Sequence, residues 1–282
     1  MSSENLEIHL RRSGLLITRR CTLRCKLCSG YIPYYENPQD IPLERLKKIT
    51  EAFFSVVDTI EHLYVLGGET FMHKELHLFL EDLLKYEKQF ELIVLPTNGT
   101  IIPKKEVMDV LCAHPDKFQV NISHYGEVSR KADELEELLN ARGVPCRILR
   151  YHGDNLEFDG WTNMTEHHPA VSEAEAREIG KNCKCGRGGF ATIQDGEWHI
   201  CGRSYRRMLI GLIPRNKDEY VDLLDDTMSN EEKRRNILRI RDIEYSTSCR
   251  HCCGMTDTAK RVTPAEQITQ AEADDMRIRG VF

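Results

Sequence analysis

The stretch Cys21-Thr22-Leu23-Arg24-Cys25-Lys26-Leu27-Cys28 places three thiols within eight residues, in the spacing C-x3-C-x2-C. The apolar run Leu15-Leu16-Ile17 just before it reads as a short buried strand. The thiols therefore fall on the loop past that strand's C-terminal end. Three soft ligands this close can share one metal centre once deprotonated. A single tetrahedral zinc takes a fourth ligand. The plain alternatives are a structural zinc loop or three incidental thiols.

Around this loop, 282 residues suffice for one large domain, or a domain with a smaller appendage. Hydrophobic residues at 40% and charged residues at 30% suit an ordinary globular enzyme. The formal net charge of −6 excludes a global basic field for nucleic acid. No apolar run is long enough to span a bilayer, and Met1 to His9 holds no signal-peptide core, so a cytoplasmic location is expected. In a reducing compartment, eleven cysteines point to metal or redox chemistry rather than disulfides, and an odd count suits ligands better than complete pairing.

Periodicity organises the first half. Tyr31 to Pro38 is aromatic and punctuated by proline, hence a loop. Asp40 is placed to cap the next helix, with Pro42 in its first turn and Leu43, Leu46, Phe53 and Val57 on one stripe. Leu63-Tyr64-Val65-Leu66 is a strand stopped by Gly67-Gly68, and Leu92-Ile93-Val94-Leu95 is a strand stopped by Pro96-Thr97-Asn98-Gly99. Helices are expected around Leu76–Leu84, Lys104–Leu111 and Leu135–Leu139, and further strands at Phe118–Ile122 and Val144–Leu149. Five strands alternating with helices build a parallel sheet with helices outside. The near-continuous apolar strands agree, since they are covered on both faces. In such architectures the site lies at the strands' C-terminal ends. The cysteine loop, Gly67-Gly68-Glu69, Thr97-Asn98-Gly99 and Ser123-His124-Tyr125 all fall there.

The composition shifts after Arg150 to a polar stretch containing His152, Trp161, His167 and His168. A second cysteine-rich region opens at Asn182-Cys183-Lys184-Cys185. Within it Asp195-Gly196 reads as a hairpin turn between Phe190–Ile193 and Trp198–Ile200. A charged helix follows near Asn230–Ile240, then Cys249-Arg250-His251-Cys252-Cys253, and a polar terminal helix within Ala265–Phe282. Cys112 and Cys146 sit in apolar surroundings, the ordinary setting of a buried free thiol.

The cysteine spacing, the strand-terminal Gly67-Gly68-Glu69 and the β/α alternation together resemble the radical S-adenosylmethionine (SAM) enzymes over roughly residues 14–150. The resemblance implies an α/β fold, a partial (β/α)6 TIM-type barrel. It implies a [4Fe-4S] cluster on Cys21, Cys25 and Cys28 with one iron open to SAM. It further implies that the backbone of Gly67 and Gly68 and the side chain of Glu69 meet the SAM amino group. Thr97, Asn98 and Ser123 stand where other strand ends of the family bind SAM, and Arg150 is placed for the SAM carboxylate or a substrate oxygen. For each of these four, a turn or capping role is the alternative. One departure is Leu27, where the family often carries an aromatic residue; an aliphatic side chain can still cover adenine.

The C-terminal cysteines add C-x10-G-x4-C at Cys185, Gly196 and Cys201, and C-x2-C at Cys249 and Cys252. This is similar to the twitch domain, a shortened relative of the SPASM domain, whose four cysteines hold an auxiliary [4Fe-4S] cluster. The same spacing permits a structural four-cysteine zinc site. Cys183 competes with Cys185 for the first ligand; Cys185-Gly186-Arg187-Gly188 has the family's C-x-x-G form and favours Cys185. The expected organisation is a barrel core over residues 1–170 and a small cysteine-rich α+β domain over 171–282.

The resemblance also implies an activity. Such an enzyme cleaves SAM to a 5′-deoxyadenosyl radical, abstracts a hydrogen from a substrate and oxidises it through the auxiliary cluster, like the twitch-type dehydrogenases that act on an amino-cyclitol. An electron donor such as flavodoxin or ferredoxin is implied. Fewer than about a dozen residues precede the barrel, too few for the leader-binding domain of peptide-modifying members. A sugar, nucleotide-sugar or cyclitol is therefore favoured over a peptide. The first alternative is a radical SAM epimerase of a sugar or peptide, with Cys253 or Cys183 as hydrogen-atom donor. The second is a non-enzymatic zinc-ribbon module, which the negative charge and the G-G-E segment oppose.

Overall fold

The computed structural model describes residues 6–185 and 189–282. Strand β1 (His9–Thr18) alternates between exposed and buried at its charged start, and every residue is buried from Ser13 onward. It begins well before the apolar run because Leu10 already reaches the core. The expected alternation continues through α1 (Leu43–Val56), β2 (Thr59–Gly67), α2 (Leu76–Leu83), β3 (Phe90–Thr97), α3 (Lys105–Ala113), β4 (Phe118–His124), α4 (Ala132–Ala141) and β5 (Cys146–Arg150).

Asp40 does not cap α1; the residue at the cap is Pro42, without a side-chain bond. The Asp40 carboxylate instead accepts from Thr18 Oγ1 at 2.7 Å and from Arg20 Nη1 at 3.1 Å. A guanidinium beside it offers a charge-assisted bond, stronger than a helix cap. The result ties the end of β1 to the loop that enters α1.

The second half holds β6 (Trp161–Thr162), α5 (Glu173–Asn182), β7 (Phe190–Gln194), β8 (Glu197–His199), α6 (Gly202–Leu209), β9 (Tyr220–Asp222), α7 (Asn230–Arg241), β10 (Arg261–Val262) and α8 (Gln270–Ile278). The hairpin turn is as expected: Asp195 and Gly196 both have positive φ, at 58° and 98°, which a tight primed turn requires. α5, α7 and α8 each begin on a capping box, Ser172 with Glu175, Ser229 with Glu232 and Thr269 with Glu272.

The main sheet runs β5-β4-β3-β2-β1-β7-β8-β9. The first five strands are parallel neighbours, and β7 adds a sixth, in parallel register with β1 from Arg12↔Phe190 to Leu15↔Ile193. The fold is thus α/β with a parallel-dominant sheet, that of a partial barrel. Its sixth strand comes from the cysteine-rich region, so the sheet crosses the boundary expected at residue 170. β8 and β9 then continue antiparallel, and β6 pairs with β10 separately.

One core joins the two halves: Leu15, Phe53 and Phe118 share it with Trp198, Val221 and Ile237. A smaller core of Tyr31, Tyr34, Ala273 and Phe282 fastens the C-terminal segment to the first cysteine loop. Tyr34 and Phe282 stack there at 4.2 Å. Among the described residues no helix is long and apolar enough to cross a membrane.

Because Trp198 of β8 is fully buried in the shared core, Trp198→Ala should cost about 3–5 kcal/mol. Denaturant unfolding followed by far-UV circular dichroism should shift as a single transition. A separate early transition, with the rest unmoved, would mean that β7 to β9 fold as their own unit.

Candidate active site

A cavity of about 420 Å³ opens at the C-terminal ends of the parallel strands. Cys21, Cys25 and Cys28 line it, together with Gly67, Gly68, Thr97, Asn98 and Ser123. Its far wall carries Cys185 and Arg203. The strand-end position expected for these residues is therefore where the structure brings them together.

The glycine pair sets the spacing between β2 and the cysteine loop. A Cβ on Gly68 would lie 2.4 Å from the Arg20 carbonyl oxygen and 2.8 Å from Cys21 Cβ; one on Gly67 would lie 2.6 Å from Thr18 Cγ2. With no side chains in the way, Gly68 N–H donates to the Thr18 carbonyl at 3.0 Å and Glu69 N–H to the Arg20 carbonyl at 2.8 Å. Only glycine permits so close an approach.

Glu69 is fully buried. Its carboxylate accepts from Thr97 Oγ1 at 2.8 Å, Asn98 N–H at 2.8 Å and Phe71 N–H at 3.1 Å. Burial pushes the carboxyl up to about 7, although these donors pull it down. In this structure Glu69 braces the end of β3, while Gly67 and Gly68 face the cavity. Asn98 continues the brace: its Nδ2 donates to Thr22 Oγ1 at 3.1 Å, and its Oδ1 accepts from Thr100 N–H at 3.0 Å.

Each thiol of the triplet has donors directed at it. Leu23 N–H meets Cys21 Sγ at 3.4 Å, Gln267 Nε2 meets Cys25 Sγ at 3.2 Å, and the backbone N–H groups of Ile32, Gly30 and Tyr31 point at Cys28. Burial pushes Cys21 and Cys25 up to about 12, so these thiols are protonated until a metal displaces the proton. Among the described residues no three of His, Cys, Asp and Glu gather tightly enough to hold a single metal ion. The donor set, three soft sulfurs each under an N–H dipole, fits a thiolate-bound iron–sulfur group.

The second group converges around buried cations. Arg203 of α6 is buried, donates to Cys201 and lies in the field of Cys185 and Cys252. Arg207 is fully buried and donates to the Ser248 carbonyl and hydroxyl and the Met164 carbonyl. Cys249 lies in the field of Cys201 and Cys252. A buried guanidinium is costly without a negative partner, so these residues fit an anionic thiolate-bound centre. The Cys253 thiol donates to Cys252 and draws it down, and Arg207 and Arg203 act in the same direction. Cys183 and Cys185 hydrogen-bond to each other. The segment Gly186-Arg187-Gly188, which bears on the choice between them, lies outside the described residues.

Other expected residues stand elsewhere. Arg150 ends β5 and is exposed. Leu27 packs against the Tyr34 and Phe282 core, not the cavity where adenine contact is expected. His124 is buried, with Nε2 3.4 Å from Asp133. Cys253 Sγ is 3.1 Å from the Asn163 carbonyl. Sequence reading misses Arg203, Gln267 and Trp161; Trp161 meets Tyr125 edge to face at 5.6 Å, both on the cavity wall. Tyr125 reads in sequence only as part of a strand end. The others come from segments whose placement depends on tertiary packing.

The sheet order and the thiol-lined strand-end cavity define an α/β partial-barrel class with a cysteine-lined site. Residues 15–146 match the family model of the radical SAM superfamily, and the chain thus carries a radical SAM domain. A GTP 3′,8-cyclase of Helicobacter pylori is 30% identical over 109 residues, covering 38% of this chain and 32% of that protein. One from Campylobacter jejuni subsp. doylei is 31% identical over 90 residues, covering 30% and 27%. The matches span about a third of these curated relatives. Among solved structures, BtrN in complex with AdoMet and 2-DOIA superposes with a TM-score of 0.56 at 15% identity, over 91% of this chain and 98% of that one. anSMEcpe with bound AdoMet gives 0.52 at 13% identity, over 97% and 96%. At these identities the likeness is one of fold.

Glu69→Gln should destabilise by about 1–3 kcal/mol, since an amide NH2 would face the Asn98 N–H donor in the interior. The carboxyl is raised in the fold, so its stabilising share is complete below about 4.5 and is lost as pH rises through about 7. Urea titrations of both proteins across that window should show the native advantage shrinking with pH. A constant difference would contradict it.

Proposed function

We propose that this chain is a radical SAM oxidoreductase that dehydrogenates a small polar substrate, a sugar, nucleotide-sugar or cyclitol. The observation that carries the reading is that Cys185 and Arg203 stand on the wall of the same cavity as Cys21, Cys25 and Cys28. A substrate held between them would face both a radical source and an electron sink.

Cys21, Cys25 and Cys28 would hold the SAM-binding [4Fe-4S] cluster, and Cys185, Cys201, Cys249 and Cys252 an auxiliary one. When bound, the first would supply one-electron cleavage of SAM to the 5′-deoxyadenosyl radical, which takes a hydrogen atom from the substrate, and the second would take up the electron left on the substrate as the second hydrogen leaves as a proton to a base. The backbone of Gly67 and Gly68 would meet the SAM amino group, with Glu69 holding Thr97 and Asn98 in place. Ser123 and the Tyr125–Trp161 pair would border the substrate and exclude water. Arg150, exposed at the end of β5 and outside the lining of this cavity, is given no substrate contact. A small electron carrier of the flavodoxin or ferredoxin kind would reduce the first cluster.

The epimerase reading needs a thiol on the cavity wall. Cys253 favours the dehydrogenase instead, because its Sγ contacts the Asn163 carbonyl and its thiol bonds to Cys252. Cys183 lines a different cavity, alongside Cys201 and Cys249. The matches to cyclases cover 38% of this chain or less, so they bear on the barrel and not on the substrate.

The test is anaerobic incubation with SAM, a reductant and candidate sugars or cyclitols in deuterated water, read by mass spectrometry. Dehydrogenation gives a product lighter by two hydrogens. Product with solvent deuterium and no other mass change would establish the epimerase and overturn the proposal. Cys253→Ala should turn over at a rate close to wild type; SAM cleavage without product in that variant would make Cys253 the donor.

A further inference from the structure

The C-terminal segment wraps the first cysteine loop. Lys26 N–H donates to the Glu266 carbonyl at 2.8 Å and Ile268 N–H to the Arg24 carbonyl at 3.0 Å, with Cys25 and Gln267 as an antiparallel bridge. The Gln267 side chain sits at the centre of this clasp. Its Oε1 accepts from Arg24 N–H at 2.9 Å, and its Nε2 donates to the Ala265 carbonyl at 2.7 Å and to Cys25 Sγ at 3.2 Å.

These three contacts settle the amide's orientation. A flipped amide would set its oxygen against a carbonyl and a sulfur, and its NH2 against an N–H donor. Ala265, which presents that carbonyl, is buried and holds a left-handed φ of 53°. A non-glycine residue persists there only when its surroundings enforce it, and the backbone pairing on either side does so. The N–H aimed at Cys25 is thus fixed by the fold.

We propose that Gln267 is a positioning residue for the first iron–sulfur centre: its side-chain N–H orients the Cys25 sulfur and raises the reduction potential of the cluster bound there. The inference rests on the reading of Cys21, Cys25 and Cys28 as cluster ligands. Hydrogen bonds to ligating sulfurs favour the reduced, more negative state of such clusters. A residue 242 positions further along the chain thereby acts on the loop that follows β1.

The test uses the anaerobically reconstituted full chain with Gln267→Leu and Gln267→Glu, their fold checked by circular dichroism. The readout is the midpoint potential of the cluster whose electron paramagnetic resonance signal responds to SAM. The potential should fall in the order wild type, Leu, Glu, since Leu removes the donor and Glu sets an oxygen against the sulfur. Iron released to a chelator should appear faster in both variants. Unchanged potentials at full iron content would overturn the assignment. A SAM-responsive signal that survives in Cys21/Cys25/Cys28→Ala would overturn the ligand reading, and this inference with it.

Discussion

Gly68 has no room for a side chain, and the geometry of the site depends on that. The Arg20 carbonyl and Cys21 stand where its Cβ would be, so the end of β2 lies flush against the cysteine loop. The backbone bonds from Gly68 and Glu69 to Thr18 and Arg20 then fix where the loop leaves β1. Thr18 is bonded in turn to Asp40, and Glu69 to Thr97 and Asn98. Three strand ends and the loop into α1 are thereby held around one point, which a flexible eight-residue loop could not manage alone.

The C-terminal cysteine group is organised by the opposite device, buried positive charge. Arg203 and Arg207 project from one helix into a nest of thiols supplied by three separate segments. Isolated guanidinium groups in an interior are unfavourable; beside the thiolates of the proposed auxiliary cluster they would become the counter-charge. Because β7 joins β1 in the main sheet, this nest is carried against the barrel, with Cys185 and Arg203 on the wall of the shared cavity. The oxidoreductase reading grows from that placement.

Much of this is legible in the residues. Runs such as Leu63–Leu66 and Leu92–Leu95 announce buried strands, the alternation with helices announces a parallel sheet, and glycines or Pro-Thr-Asn-Gly mark the strand ends. Asp195-Gly196 announces its turn because few other pairs tolerate two positive φ angles. The features that escape depend on partners distant in sequence. Phe190–Gln194 reads as half of a hairpin, and nothing local shows that its other edge meets β1. Asp40 looks like a helix cap until Thr18 and Arg20 are seen beside it. Arg203 carries no local signal of its burial, and Gln267 becomes meaningful only once the chain has folded back onto Cys25.

If two iron–sulfur centres face one cavity, the metal content of the anaerobically reconstituted protein shows it most directly. The expected content is about eight irons and no zinc per chain, falling to about four irons when Cys185, Cys201, Cys249 and Cys252 are replaced by alanine. About four irons together with one tightly held zinc in the unaltered chain would contradict the two-cluster arrangement and make the second centre structural.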